Sequence, residues 1–384
     1  MNSERVSPHL CICTCDSLSW LTDNQITRST LACQLVTTMM ALVKTTKGAG
    51  GMELREVPVP RVKQDHVLIK PEVVGICGSD LARYTGKLVD YQPPIILGHE
   101  FSGTIVEVGN NVKNLKIGDR VVSETHGTFC GTCHYCVTGQ HALCASRKGL
   151  GYGIDGAYTE RVLVPSEVVH KMPPSLSFEE CAVTDTLCAP LHGLVDRIRL
   201  EPGDSVAIFG MGAIGLLALQ VAKLYGPHRI IAIDVLEGIR LKMARELGAD
   251  YTVAANTEEV VGRIRECTGG EGVDVCVDAA GSNTALNAAL KVTKPSGQIL
   301  VIGTHAKPEE IDVGQVVTRQ LALIGSWSHT WDTWERALRL LVAKKISTKV
   351  LITHSFQLDN WKEAFDILLN LQGVKAILKP NAHS

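Results

Sequence analysis

The chain has 384 residues, 45% hydrophobic and 20% charged, with 38 Lys and Arg against 40 Asp and Glu. That length suits two domains rather than one. A net charge of −2 makes no electrostatic case for nucleic acid or an anionic membrane, and no run approaches the ~18 apolar residues that cross a bilayer.

Residues 1–39 stand apart from the rest. They hold Cys11, Cys13, Cys15 and Cys33 amid Ser, Thr, Asn and Asp, with no period of two or 3.6. Arg5 and Arg28 face Glu4, Asp16 and Asp23, a poor fit to an Arg-rich, acid-poor transit peptide. The stretch reads as a disordered extension, with a second metal site at Cys11, Cys13 and Cys15 as the alternative. Thirteen cysteines without a secretory signal point to a reducing compartment, hence the cytoplasm, with thiols used for metal.

From 41 to about 169, short apolar runs alternate with turn residues. Segments 67–70, 103–108 and 119–122 read as strands of a small β-rich domain. Into this domain fall Gly75-Ile-Cys77-Gly-Ser79-Asp80 and Gly98-His99-Glu100. A Cys, a His and a carboxylate from separate segments suit a catalytic zinc with an open position. Taken singly, Cys77 reads equally as a buried apolar residue and His99 as a hydrogen-bonded core histidine.

Cys130, Cys133, Cys136 and Cys144 follow, spaced C-x2-C-x2-C-x7-C. Four soft ligands in one short loop suit a closed tetrahedral zinc, which holds a lobe together and has no site for substrate. Disulfides suit a secreted chain instead. An iron–sulfur cluster also takes four thiolates, but the spacing matches neither common ferredoxin pattern.

Segment 204–215 is an apolar strand running into Gly210-Met-Gly212-Ala213-Ile214-Gly215, and helical spacing follows over 216–225. The next strand, 230–234, ends in Asp234. Strand, glycine turn, helix, strand and acid together make the dinucleotide fingerprint of a doubly wound parallel sheet, the Rossmann arrangement. Gly210 makes the turn, Gly212 lets backbone N–H groups reach the pyrophosphate, and Gly215 permits close helix packing. Asp234 accepts from the adenosine ribose and repels a 2′-phosphate, favouring NAD. Apolar strands at 273–278 and 297–302 end at Gly281 and at Gly303-Thr304, which read as cleft wall near the nicotinamide or as plain turn residues. The tail, at 337–341 and 361–371, has helical spacing and returns to the first domain.

Taken together, these motifs resemble the zinc-containing medium-chain dehydrogenases, the alcohol and polyol dehydrogenase family, over about 40–380. The Cys-Gly-Ser-Asp form is similar to the sorbitol and threonine branches. The resemblance implies a GroES-like β-rich catalytic domain at 40–190 with a structural-zinc lobe at 126–146. It further implies an NAD-binding Rossmann domain at 191–325 and a C-terminal return at 326–384. It implies a catalytic zinc on Cys77 and His99, with Glu100 as a ligand or an adjacent carboxylate and Asp185, seven residues before His192, bound directly or through water; Cys181 and Cys188 compete for the Asp185 role. Ser79 is expected to hydrogen-bond the substrate hydroxyl and Lys375 to lie near the cofactor phosphates. The implied reaction is hydride transfer between a secondary alcohol, such as a polyol, and NAD. L-Threonine oxidation and a non-catalytic zinc- and NAD-binding protein are the alternatives. Relatives are usually tetramers or dimers. The chain departs from the pattern at Ala82, where polyol-type members have a histidine that carries the proton out; Ser79 with the metal site, or Arg83 or Tyr84, is left to serve. It departs again at 326–329, where animal sorbitol dehydrogenases carry an arginine.

Overall fold

A computed structural model describes residues 37–380, Ala306 excepted. The N-terminal cysteines at 11–33 lie outside the described residues. The first strand, Thr38–Lys44, opens two residues inside the stretch expected to be an extension, and Met39 is buried in the core beneath it.

The N-terminal half is a β-structure of two main sheets, one of three strands and one of seven, plus the short pair His126–Thr128 and Lys148–Gly149. The larger has spatial order Val169–Lys171, Arg120–Ser123, Glu100–Val108, His66–Gly75, Lys375–Lys379, Ile352–Gln357, with Val162–Pro165 also paired to His66–Gly75. Register in this sheet builds the first site. Gly75 pairs with Glu100 on one side and with Ile377 on the other. Cys77, His99, Glu100 and Lys375 therefore emerge at the same sheet end, although the chain between them is long. The alternation of buried and half-buried residues along His66–Gly75 is the period of two expected of a strand with one covered face.

The second half is a six-stranded sheet with all neighbours parallel. Its order is Tyr251–Ala254, Arg229–Asp234, Ser205–Phe209, Val273–Asp278, Thr293–Val301, Ala322–Gly325. In chain order that is 3-2-1-4-5-6, the doubly wound arrangement, and the order reverses between the first and fourth strands. Ser205–Phe209 is buried at every position because helices cover both faces. The helix expected over 216–225 runs from Ala213 to Lys223, starting directly after Gly212. The expected tail helices are Trp331–Val342 and Trp361–Leu369, and the last strand lies beside His66–Gly75.

Candidate active site and metal centres

The ligand atoms of Cys77, His99 and Glu100 lie within 4.8 Å of one another, and His99 and Glu100 are buried. Cys77 caps the helix Gly78–Tyr84, and Asp80 in its first turn accepts from the Cys77 backbone N–H at 3.1 Å. Asp80 is fully buried; its Oδ1 lies 3.6 Å from His99 Nδ1, and its Oδ2 accepts from Tyr158 OH at 2.8 Å. Burial alone would raise the Asp80 carboxyl, but His99, Arg83 and the Tyr158 hydroxyl hold it at about 2. Burial likewise works to keep His99 neutral, yet Asp80 and Cys77 raise it well above its ordinary value. This excess of anionic groups around one imidazole suits a divalent cation, which takes the place of the proton. A carboxylate behind a ligating histidine also fixes the ring orientation. In the sequence Asp80 stands out only as part of the Gly75–Asp80 motif, and nothing local marks Tyr158, 78 residues away, as its partner.

Glu100 accepts from Thr186 Oγ1 at 2.8 Å, and its other oxygen meets the Lys375 ammonium. Lys375 is 2% exposed, and burial would lower its ammonium, but Glu100 raises it. The expectation that Lys375 contacts the cofactor phosphates is therefore corrected. Its strand pairs against His66–Gly75, which turns the ammonium into the carboxylate of the metal group. A Cβ on Gly75 would sit 2.5 Å from Glu100 Oε2, so any larger residue there would displace the carboxylate.

Asp185 lines the same cleft, on helix Thr184–His192, but lies outside the Cys77, His99 and Glu100 group. Its Oδ1 is 3.2 Å from His329 Nε2. Burial raises the Asp185 carboxyl, and His329, His99 and Lys375 bring it below its ordinary value. Cys188, which shares its helix, is fully buried, and burial and then Asp185 push its thiol well up, as expected of a core residue.

Cys130, Cys133, Cys136 and Cys144 converge. Sγ separations are 3.5 Å for Cys133 to Cys136, 3.8 Å for Cys130 to Cys136 and 3.7 Å for Cys130 to Cys144. A tetrahedron with metal–sulfur bonds of about 2.3 Å has edges of about 3.8 Å, whereas a disulfide needs sulfurs about 2.05 Å apart. The set fits one zinc and excludes disulfides within it. Gly131 and Gly139, at φ 72° and 73°, supply the left-handed turns that let so short a loop close. Backbone N–H groups of Thr132 and Cys133 lower the Cys130 thiol to about 6, which favours the thiolate a metal needs.

A third group was not anticipated. Ligand atoms of Glu124, His126 and His329, all buried, lie within 4.8 Å of one another. His126 Nδ1 accepts from Arg147 Nε at 2.7 Å. An arginine only donates, so the neutral ring carries its proton on Nε2, the nitrogen that faces Glu124 Oε2 at 3.3 Å. That nitrogen has no lone pair for a cation, so the group is a buried polar cluster rather than a metal site, and Glu124 Oε2, His126 Nε2 and both His329 nitrogens make no hydrogen bond among the described residues. It continues through His170, whose Nε2 is 3.1 Å from Glu124 and whose Nδ1 is 2.7 Å from Glu335.

The glycine turn matches its three expected tasks. Gly210 sits at φ 91°, with Ala280 backbone 2.9 Å from where a Cβ would be. Gly212 faces open space, and a Cβ on Gly215 would lie 1.8 Å from Gly210 O. Asp234 Oδ2 accepts from Met211 N and Oδ1 from Val235 N, both at 2.7 Å, so the acid also braces the turn it follows. Asp278 does the same at the fourth strand: its Oδ1 accepts from Ala280 N and Gly281 N at 2.9 and 3.0 Å, while His305 Nε2 is 2.9 Å from Oδ2. Gly303 packs backbone to backbone on Gly281, and Thr304 lines the cleft.

That cleft has a volume of 410 Å³. Cys77, His99, Glu100 and Ser79 form one wall, and Gly212, Ala213, Ile214 and Thr304 form the other. It sits outside the carboxyl ends of the parallel strands, at the switch point, where such sheets bind ligands. A Cys–His–carboxylate metal group facing a dinucleotide turn defines a two-domain, metal-dependent dehydrogenase.

Comparison with known proteins gives the family. Residues 63–174 match the model of the alcohol dehydrogenase GroES-like domain, and residues 213–343 match that of the zinc-binding dehydrogenases. The chain is 36% identical to a sorbitol dehydrogenase of Halalkalibacterium halodurans, covering 89% of this chain and 99% of the relative. It is 37% identical to a D-arabitol-phosphate dehydrogenase of Enterococcus avium, covering 90% and 98%. Among solved structures, galactitol-1-phosphate dehydrogenase from Escherichia coli superposes with a TM-score of 0.80 at 30% identity, over 89% of this chain and all of that one. The chain belongs to the zinc-containing medium-chain alcohol and polyol dehydrogenase family, and it is a zinc-dependent oxidoreductase.

Proposed function

We propose that the protein interconverts a secondary alcohol of a polyol and its ketone, with NAD as the hydride carrier. The observation that carries this reading is the shared cleft, with Cys77, His99 and Glu100 on one wall and the glycine turn on the other. Cys77, His99 and Glu100 would hold the catalytic zinc, with Asp185 as the further carboxylate on the cleft wall. Zinc there supplies a Lewis acid that polarises an alcohol oxygen, and the nicotinamide supplies the hydride acceptor. The chain's own residues bind and align. Gly212 leaves room for the pyrophosphate against the N–H groups of Ala213 and Ile214, while Gly281, Gly303 and Thr304 border the nicotinamide. Asp234, with its negative charge beside the turn, favours NAD over a 2′-phosphorylated cofactor. Ser79 receives the substrate hydroxyl. Cys130, Cys133, Cys136 and Cys144 hold the structural zinc.

A polyol is favoured over threonine by the state of the cations on the alcohol side. An amino-acid substrate needs a cation free to meet its carboxylate. Arg83 forks Asp90 through Nε at 2.9 Å and Nη2 at 2.8 Å. Arg147 is spent on His126, Tyr152 and Thr125, and Lys375 on Glu100. We further propose a homotetramer or homodimer working in the cytoplasm; among the described residues, no helix is long and apolar enough to cross a membrane.

NADH production by purified protein on polyols, simple secondary alcohols and L-threonine, with and without a zinc chelator, is the test. Chelator-sensitive turnover that is best on a polyol is expected. Threonine as the best substrate would overturn the substrate assignment, and NAD binding without turnover on any alcohol would favour a non-catalytic protein.

A further inference from the structure

Ala82 stands where polyol-type relatives carry a proton-conducting histidine, so something else must order the polar end of the alcohol site. Of its two neighbours Arg83 and Tyr84, the fold withdraws one. The Tyr84 ring packs edge-on against Trp361 and Phe365, at 5.7 and 5.4 Å between centroids. Arg83 remains in the cleft wall, 3% exposed. It lies four residues after Ser79 on the helix Gly78–Tyr84, hence on the same face. Its Nη1 donates to Ser79 Oγ at 3.1 Å. The fork to Asp90 and the Tyr152 ring, 4.6 Å from the guanidinium carbon, leave it little freedom.

We propose that Arg83 is a positioning residue for the alcohol, acting through Ser79; this rests on the dehydrogenase reading above. A hydroxyl has one proton and two lone pairs, and a guanidinium only donates. Arg83 occupies one lone pair, so the Ser79 proton cannot turn toward it. The proton and the second lone pair are left for the substrate oxygen. The fixed cation also favours negative charge developing on that oxygen. Asp90 and Tyr152 matter only because they hold the fork in place.

The test is a double-mutant cycle on the zinc-loaded protein. Arg83→Ala is expected to lower kcat about 10- to 100-fold, the range of one hydrogen bond to a charged group, with the KM for NAD and the zinc content unchanged. Arg83→Ala placed on Ser79→Ala should cost less than it does alone, the remainder coming from the loss of its 3.7 Å ion pair with Asp80 behind His99. Methylguanidinium in the buffer should restore part of the activity of Arg83→Ala and none of Ser79→Ala. A kcat within twofold of wild type, or losses that multiply in the double variant, overturns the proposal. Should Arg83→Ala fail to fold, Arg83→Lys replaces it. Lysine keeps the charge but cannot span Asp90 and Ser79 together, so full activity in that variant is equally fatal. Polyol affinity of the NADH complex, read by tryptophan fluorescence, runs the same cycle without turnover. An inactive wild type would thus sink the dehydrogenase reading, while equal polyol affinity in wild type and variant would sink the Arg83 assignment.

Discussion

The ammonium of Lys375 meets the carboxylate of Glu100 across 275 residues of chain, both side chains almost wholly buried. The strands that carry them flank His66–Gly75 on opposite sides, and one strand end delivers a cation into a metal group. A charge buried this deep is tolerated only when paired.

Lys375→Met should therefore be costly in zinc-stripped protein, by about 3–5 kcal/mol, because Glu100 is left as an unpaired buried charge. In zinc-loaded protein the metal supplies the missing positive charge and the penalty should shrink. Denaturant titrations of wild type and variant, with and without zinc, measure both. An equal penalty in the two states would place Glu100 away from the metal.

The two cysteine-bearing groups should lose metal independently. Cys77→Ala or His99→Ala is expected to abolish turnover and leave one zinc per chain. Cys136→Ser should remove the other zinc and open the loop at 129–149 to proteolysis, since a structural zinc contributes folding energy directly. Elemental analysis of each purified variant decides the matter, and normal turnover in Cys77→Ala would defeat the catalytic assignment.

Gly212 and Gly215 should behave differently, because the second is packed and the first is open. Gly215→Ala places a methyl 1.8 Å from Gly210 O, and overpacking of this kind costs about 1–3 kcal/mol. Gly212→Ala meets nothing within 4 Å, so stability should hold while NAD affinity falls by about tenfold or more, as for a lost hydrogen bond to a charged group. Thermal melts and NAD titrations on both variants test the contrast; a Gly212→Ala protein with wild-type NAD affinity would move the pyrophosphate elsewhere.

Burial, with His329, Arg147 and His141 nearby, pushes the His126 imidazole far below its ordinary value. The folded protein therefore resists a proton that the unfolded chain accepts below about pH 6.5. With more protons bound in the unfolded state, stability falls as pH drops, by about 2 kcal/mol for this one group between pH 7 and pH 5. His126→Asn, whose side-chain oxygen can accept from Arg147, should flatten that part of the stability–pH curve. Parallel curves for the two proteins would show that His126 protonates freely in the fold.

Much of the dinucleotide half was legible in the chain. Continuous apolar strands, helical spacing and glycines in fixed order are local signals, since each reports the backbone and burial of its own segment. Helix Ala213–Lys223 begins three residues earlier than the spacing over 216–225 predicts, because Ala213, Ile214 and Gly215 belong both to the glycine motif and to the first helical turn, whose N–H groups face the cleft. The four-cysteine lobe was equally plain, because its ligands are all within one loop. The polar partners were not. Asp80 with Tyr158, Thr186 with Glu100, and Asp185 with His329 are pairs between segments far apart in the chain.

Residue types and spacing by themselves determined which chemistry this protein carries: a thiolate, an imidazole, carboxylates and a glycine turn, each written into a short segment. Only the tertiary structure decided which charge answers which. Lys375 faces Glu100 rather than the glycine turn, and Arg83 reaches Ser79 while Tyr84 turns into the core. Sheet register and helix docking set those choices, and both depend on contacts between distant segments that no local pattern records.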